Sequence, residues 1–317
     1  MSDAFVRSIV AMDTVVTVQV ADGDGDEDSR NARVERVDAA LAWFGRVEAV
    51  CSRFDEQSEL SALVANVGTP VVVSDLLFHA VQFALTVAEE ANGAFDPTVG
   101  RRMEMRGFDR EHRSGRRTQR SHVKADGASY RDVTLDSTAQ TITLERALVL
   151  DLGAVAKGLA VDMAARELRD YDHFAVDAGG DLFFAGNNPR GEPWTVGIRH
   201  PRDDRSLIET ISVSGSAVCT SGDYARRSNV DDGHHIIDAR GGGTASALAS
   251  VTVVGPTAMI ADALATAAFV LGPTEGVRLL ERHDVDGLLI TPSLDRHVAR
   301  GALRCFATTA AALPEMR

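Results

Sequence analysis

At 317 residues the chain can bury one large core or two intimately packed lobes, and its 44% apolar and 25% charged residues are an ordinary globular balance. A formal net charge of −13 excludes a general affinity for nucleic-acid backbone. Three widely spaced cysteines, Cys51, Cys219 and Cys305, exclude a disulfide framework and a metal knuckle, and read as free buried thiols of a reducing compartment.

The opening stretch, MSDAFVRSIVAMDTVVTV, holds no basic segment followed by a long apolar run and no cysteine for lipid attachment. The expectation is a cytoplasmic chain with no signal peptide and no membrane insertion. Residues 15–21 are a β-branched strand signal that runs into the acidic stretch 22–28. Aspartates alternate there, but the glycine is misplaced and Arg33 stands where a calcium loop needs glutamate. An acidic hairpin tip is expected instead. Apolar residues at helical spacing predict helices over 37–50 and 76–91, with Gly93 and Pro97 bracketing the loop that follows. The basic stretch 101–124, with Arg113, Arg116, Arg117 and Arg120, lacks aromatic interleaving and reads as a solvated loop or lid.

Strand signals follow at 132–135, 141–144 and 148–152, then a helix over 155–169. Strands are expected at 174–177, 182–185, 195–198 and 209–213, and at 250–254 feeding a very apolar helix over 258–271. A short helix over 273–282 and strands at 287–291 and 298–305 finish the chain. Strands that arrive in antiparallel-looking clusters with a few long helices predict an α+β fold of mostly antiparallel sheets with packed helices. No repeat or linker is visible, so a single domain is expected.

Four segments can carry chemistry. In Thr257-Ala-Met-Ile-Ala-Asp262-Ala-Leu-Ala-Thr266, Thr257 can cap the helix and Asp262 falls among apolar neighbours. Thr266 lies one turn on, and two hard oxygen ligands so spaced suit magnesium. A carboxylate bonded to nearby backbone is the alternative. In Asp151-Leu-Gly153-Ala154-Val-Ala-Lys157-Gly158, a glycine turn opens a helix with lysine in its first turn, which is an anion site or a surface lysine. Gly179-Gly180-Asp181 permits a ligand's close approach or a plain hairpin turn. In Thr220-Ser221-Gly-Asp-Tyr224-Ala-Arg226, Ser221 and Arg226 can hold phosphate oxygens. Of the adjacent His234 and His235, at most one can face a given site if they lie in a strand, and it is a candidate general base.

Together these segments resemble the ApbE family, the FAD:protein FMN transferases. Six blocks in order carry the resemblance: Met12-Asp-Thr14; Arg53-Phe54 with Ser58-Glu59-Leu60; Gly93-Ala94-Phe95-Asp96-Pro97-Thr98; Asp151 to Gly158; Ser221 to Arg226 with His235-Ile-Ile237-Asp238; and Ala261-Asp262-Ala-Leu-Ala-Thr266. The resemblance implies an ApbE-like, T-fold-related architecture. It implies that Met12 and Phe54 flank the isoalloxazine ring of FAD, and that Ala94, Phe95 and Asp96 line its pocket. It implies further FAD contacts from Asp151, Lys157, Ser221, Arg226 and Ile237, with Lys157 near the pyrophosphate. Magnesium would sit on Asp262, Thr266 and the carbonyl of Gly153 or Ala154. His235 would deprotonate a Ser or Thr hydroxyl of an acceptor protein, which receives FMN while AMP leaves. Two other outcomes stay open: a metal-dependent FAD pyrophosphatase and a non-catalytic flavin-binding protein.

Two departures from the family pattern stand out. Asp238-Ala239-Arg240-Gly241-Gly242 lacks the family's Pro and Thr, which is expected to loosen the loop that positions His235. Asp13 places a carboxylate beside the flavin site where the family has Gly.

Overall fold

The computed structural model describes residues 4–21, 27–110, 115, 127–226, 228, 233–241, 243–301, 303 and 305–306. An N-terminal hairpin, β1 (Phe5–Ala11) and β2 (Thr14–Val20), precedes the long helix α1 (Glu27–Cys51). Next come α2 (Glu59–Val64), β3 (Val71–Val72), α3 (Asp75–Glu90) and α4 (Gly100–Met105). A 3₁₀ turn (Tyr130–Asp132) leads into β4 (Val133–Asp136) and β5 (Thr141–Leu144), then α5 (Gly153–Glu167). The second half holds β6 (Phe174–Ala178), β7 (Leu182–Ala185), β8 (Trp194–His200), β9 (Asp203–Val213) and β10 (Ser216–Gly222). It ends with β11 (Ser250–Gly255), α6 (Ala258–Arg282), β12 (Asp286–Ile290) and β13 (Arg296–Ala299).

Eight strands form one sheet in the order β1-β2-β6-β7-β10-β11-β12-β13, every neighbour antiparallel. The α+β expectation holds. One sheet face packs on α1, α5 and α6: Val16, Val18 and Val20 alternate inward along β2 against a core that holds Phe44, Leu264 and Phe269. Phe44 and Phe269 are fully buried, each stabilising by ~1.5–3 kcal/mol relative to exposure. The opposite face is covered by the β8–β9 hairpin through Phe184, Trp194, Ile198, Ile211 and Leu288. Phe184 and Trp194 pack with ring centroids 5.5 Å apart and planes tilted by 33°.

The contact between α5 and α6 positions the site. A Cβ on Gly158 would lie 2.5 Å from the Ala258 carbonyl oxygen, so only glycine lets α6 begin this close to α5. Asp162, one turn further along α5, accepts the N–H groups of Ala258 at 2.7 Å and Met259 at 2.9 Å. Thr257 accepts Ile260 N–H at 3.3 Å. The first turn of α6 is therefore capped from its own chain and from α5. Gly272, at φ 81°, breaks α6 before Pro273, which divides it where the sequence predicts two helices. By length and composition α6 could cross a membrane, against expectation, yet 61% of its most apolar window is buried inside the protein. It is a core helix.

Several expectations are corrected. Residues 148–152 form no strand: Leu150 is fully buried and Leu152 2% exposed, but Asp151 N–H goes to Pro97 O and Val149 O accepts from Gly100. Their apolar run reflects burial without a ladder. Glu27 and Asp28 open α1 beside its positive end, so the acidic stretch leads into a helix rather than a hairpin return, while 22–26 lie outside the described residues. In the basic stretch, Arg101 pairs with Glu104 at 3.1 Å, Arg102 donates to Ala239 O, and Arg106 donates to Thr244 Oγ1 at 2.7 Å. These three are structural, whereas Arg113, Arg116, Arg117, Arg120 and Lys124 lie outside the described residues. The last strand ends at Ala299, because Gly301 and Cys305 turn their N–H groups to the buried Asp286, at 2.6 and 3.0 Å. Cys51 and Cys219 are buried as expected, Cys305 is only half-buried, and burial pushes the Cys51 thiol up to about 12.

Candidate active site

A cavity of about 990 Å³ opens where the β1–β2 turn, the start of α5, the end of β10 and the middle of α6 meet. The turn is Met12-Asp13, between the paired residues Ala11 and Thr14, and both adopt left-handed backbone, at φ 48° and 65°. Two such residues make the primed turn that matches the strand twist, at a cost of order 1 kcal/mol each for side chains other than glycine. Across from it, Gly179 at φ 67° lets the chain pass Thr14, whose Oγ1 would lie 2.1 Å from any Cβ.

The floor is made by α6, β10 and the first turn of α5. Asp262 and Thr266 lie one turn apart on α6, and both reach the cavity. Thr266 Oγ1 lies 2.9 Å from Ser221 Oγ at the end of β10. Asp262 Oδ2 is buried and has no hydrogen-bond partner among the described residues; the Lys157 ammonium stands 3.8 Å away, beyond hydrogen-bond reach. Burial raises the Asp262 carboxyl above the usual carboxylate range, against the pull of Lys157 and the Gly158 N–H. A buried, unpartnered carboxylate oxygen beside a hydroxyl is a donor set that fits a hard divalent cation. Among the described residues no three His, Cys, Asp or Glu side chains converge, so further ligands would come from backbone, water or substrate. Lys157 pairs with Asp181.

The walls carry the remaining groups. Asp151 pairs with Arg53 and accepts Gly153 N–H at 2.9 Å. Burial opposes its ionisation, but Arg53, Gly153 and Arg226 outweigh it and hold its carboxyl below the usual range. His235 lines the cavity opposite, its Nδ1 buried and without a hydrogen-bond partner among the described residues. Burial, then the charges of Arg226 and His234, push its imidazole down to about 4. His234 turns the other way, with Nε2 2.7 Å from Ala245 O and Nδ1 accepting Ile236 N–H at 3.2 Å.

The cavity brings together Met12, Phe54, Phe95, Asp96, Asp151, Ala154 and Lys157 with Ser221, Arg226, His235, Ile237, Asp262 and Thr266. Ala94 is the exception. It is fully buried behind the wall, where its carbonyl accepts Ala239 N–H at 3.2 Å, because Gly93 at φ 72° turns the chain before it. Asp96 builds its loop: its carboxylate takes Thr98 N–H and Oγ1 at 2.8 and 2.7 Å and Tyr130 N–H at 3.0 Å. His235 does not enter a strand: among the described residues this segment forms isolated bridges such as Ile237 to Thr244, and His235 N–H goes to Arg226 O at 3.2 Å. The loop after it is stitched rather than loosened. Ala239 bonds to Ala94 and Arg102, Thr244 to Arg106, and Arg240 Nε and Nη2 to Asp238 at 3.1 and 3.0 Å.

Sequence reasoning gave no role to Arg53, Phe108 or Asp162. Arg53 sits inside a recognised block, but the tertiary meeting of 53, 108 and 151 has no local signal. A model of the ApbE family matches residues 12–289. The FAD:protein FMN transferase of Haemophilus influenzae is 30% identical over 280 residues, covering 84% of this chain and 81% of its own. That of Treponema pallidum is 35% identical over 279 residues, 80% of this chain and 76% of its own. The crystal structure of the ApbE protein from Thermotoga maritima superposes with a TM-score of 0.80 at 29% identity, covering 95% of this chain and 98% of its own. Flavin transferase ApbE from Vibrio cholerae gives 0.77 at 26% identity, with the same coverage. Fold and cleft define an enzyme of the flavin-transferase class. Within that class, this chain belongs to the ApbE family.

Proposed function

We propose that this chain transfers FMN from FAD to a Ser or Thr hydroxyl of an acceptor protein and releases AMP, with magnesium held by Asp262, Thr266 and the Ala154 carbonyl. The observation that carries the reading is that two buried groups without a hydrogen-bond partner among the described residues open on one cavity: the Asp262 carboxylate oxygen and His235 Nδ1. The relatives' activity supplies the reaction, since both curated relatives are FAD:protein FMN transferases. The cavity is large enough for a dinucleotide by the ordinary range of ligand pockets, about 300–1,000 Å³.

In this reading Met12 and Phe54 flank the isoalloxazine, while Phe95, Asp96, Asp151 and Ile237 shape the rest of the FAD site. Ser221, Arg226 and Lys157 hold phosphate oxygens. A magnesium ion held by Asp262, Thr266 and the Ala154 carbonyl would supply charge stabilisation to the pyrophosphate. His235 Nδ1 takes the proton of the acceptor hydroxyl, whose oxygen bonds to the FMN phosphorus as the bond to the AMP oxygen breaks. At pH 7 the imidazole is neutral and free to accept that proton. AMP release measured with FAD and magnesium, with and without an acceptor, tests the reading. Release that requires the acceptor supports it. Release at the same rate without one indicates FAD hydrolysis, and no release indicates a binding protein.

A further inference from the structure

Arg53 holds three parts of the cavity wall at once. Its side chain is 6% exposed; Nε meets Asp151, and Nη2 donates to Phe108 O at 2.7 Å. The guanidinium carbon lies 4.2 Å from the centroid of the Phe54 ring, close enough for a cation–π contact, and Phe54 itself lines the cavity. Nη1 is buried and has no partner among the described residues. Guanidinium nitrogens are donors that cannot be silenced by losing a proton, so a buried, unmet Nη1 calls for an acceptor.

We propose that Arg53 Nη1 donates a hydrogen bond to an oxygen of the flavin half of the bound nucleotide, making Arg53 a ligand-binding residue of this site. The inference rests on the flavin-nucleotide reading above. Three observations point to the flavin half and away from the phosphates. The charge of Arg53 is already met by Asp151, which stays ionised, so the pair offers a donor more than a net positive charge. The guanidinium lies against the Phe54 ring, and its Nη2 is taken by the Phe108 backbone carbonyl. Among the described residues the other cations lining the cavity are Lys157 on α5, Arg226 after β10 and Arg110 after α4, and of the four only Arg53 has its guanidinium against the Phe54 ring. Planar, carbonyl-bearing ligands suit a planar fork; a point charge serves them less well.

The test compares Arg53→Lys with wild type in binding riboflavin, FAD and ADP, by flavin fluorescence for the first two and calorimetry for ADP, beside the ligand-free melting temperature. Lysine keeps the charge for Asp151 but cannot serve Phe108 and a ligand together. The expected result is an affinity loss of about tenfold or more for riboflavin and FAD, with ADP affinity unchanged, whatever the loss of the Phe108 hydrogen bond does to the melting temperature. Unchanged flavin affinity overturns the proposal. So does an equal loss for ADP and FAD, which makes Arg53 a wall support only. Should Arg53→Lys not fold, guanidinium ¹⁵N resonances of the wild-type chain decide: those of Arg53 shift on adding riboflavin and stay on adding ADP, and no shift with riboflavin overturns the assignment. Failure of wild type to bind FAD at all is a different result, and it removes the flavin reading together with this one.

Discussion

His235 is depressed to about 4 mainly by burial, so it is neutral throughout the neutral range and ready to accept a proton. An unperturbed histidine puts the acid limb at about 6.5 unless a metal lowers it; burial of His235 pushes it down to about 4. At saturating magnesium, which keeps Asp262 ionised, the transfer rate should therefore hold until pH approaches about 4, and a half-maximal pH near 6.5 in single-turnover AMP release contradicts this. His235→Ala should keep FAD binding and lose roughly 10²–10⁴-fold in transfer rate. His234, bonded to Ala245 and edge-on to Phe269 with centroids 5.5 Å apart, is a core group. Its alanine variant should lose stability rather than only spare the rate. Asp262→Asn should abolish magnesium-dependent turnover and leave the metal-free fold intact, because the cost of burying the carboxylate disappears together with its 3.8 Å attraction to Lys157. Turnover unchanged at saturating magnesium sinks that assignment. At this scale Asp262 and Thr266 were legible because helical period alone puts them on one face. Ala94 was misread, since its neighbour's backbone angle, not its identity, turns it into the core.

The elements were legible where apolar period and capping agree, as in α3, where Ser74 accepts Leu77 N–H at 3.3 Å. β1 and β10 escaped for opposite reasons. β1 is an edge strand with four of seven residues exposed, and β10 is buried on both faces with Ser, Cys and Thr in its run, so neither alternates. The α5–α6 contact was also invisible, because it joins residues about 100 positions apart. It makes two predictions. Gly158→Ala should destabilise by ~1–3 kcal/mol and weaken magnesium dependence, since the Ala258 carbonyl must move and Asp262 with it. Denaturation showing no loss of stability contradicts that. Asp162 is pushed up to about 6, chiefly by burial, although it accepts two helix N–H groups. Its unfolded value is about 3.9. A carboxyl raised on folding favours the folded state at low pH and forfeits that contribution as pH rises through about 6. Relative to Asp162→Asn, wild type should thus lose on the order of 2 kcal/mol of stability between pH 4 and pH 7. A difference constant across that range refutes it.

At the scale of the whole molecule, one sheet carries helices on one face and a hairpin on the other, and the cavity lies where four segments distant in sequence converge. The α+β class was legible from strand clustering, but the strand order was not, since antiparallel pairing between β2 and β6 spans about 160 residues without a local signal. Ligands that bind only the folded cavity should stabilise it by mass action, about 2.7 kcal/mol at one hundred times the dissociation constant. FAD and magnesium together should raise the melting temperature more than either alone. The central claim is transfer to protein. It is tested by incubating the chain with FAD, magnesium and a protein extract stripped of free flavin, then measuring AMP, free FMN and protein-bound flavin by mass spectrometry. The account predicts AMP in equal amount to covalent flavin on a Ser or Thr, with none from the His235→Ala variant. AMP matched by free FMN, with no flavin on protein, contradicts it.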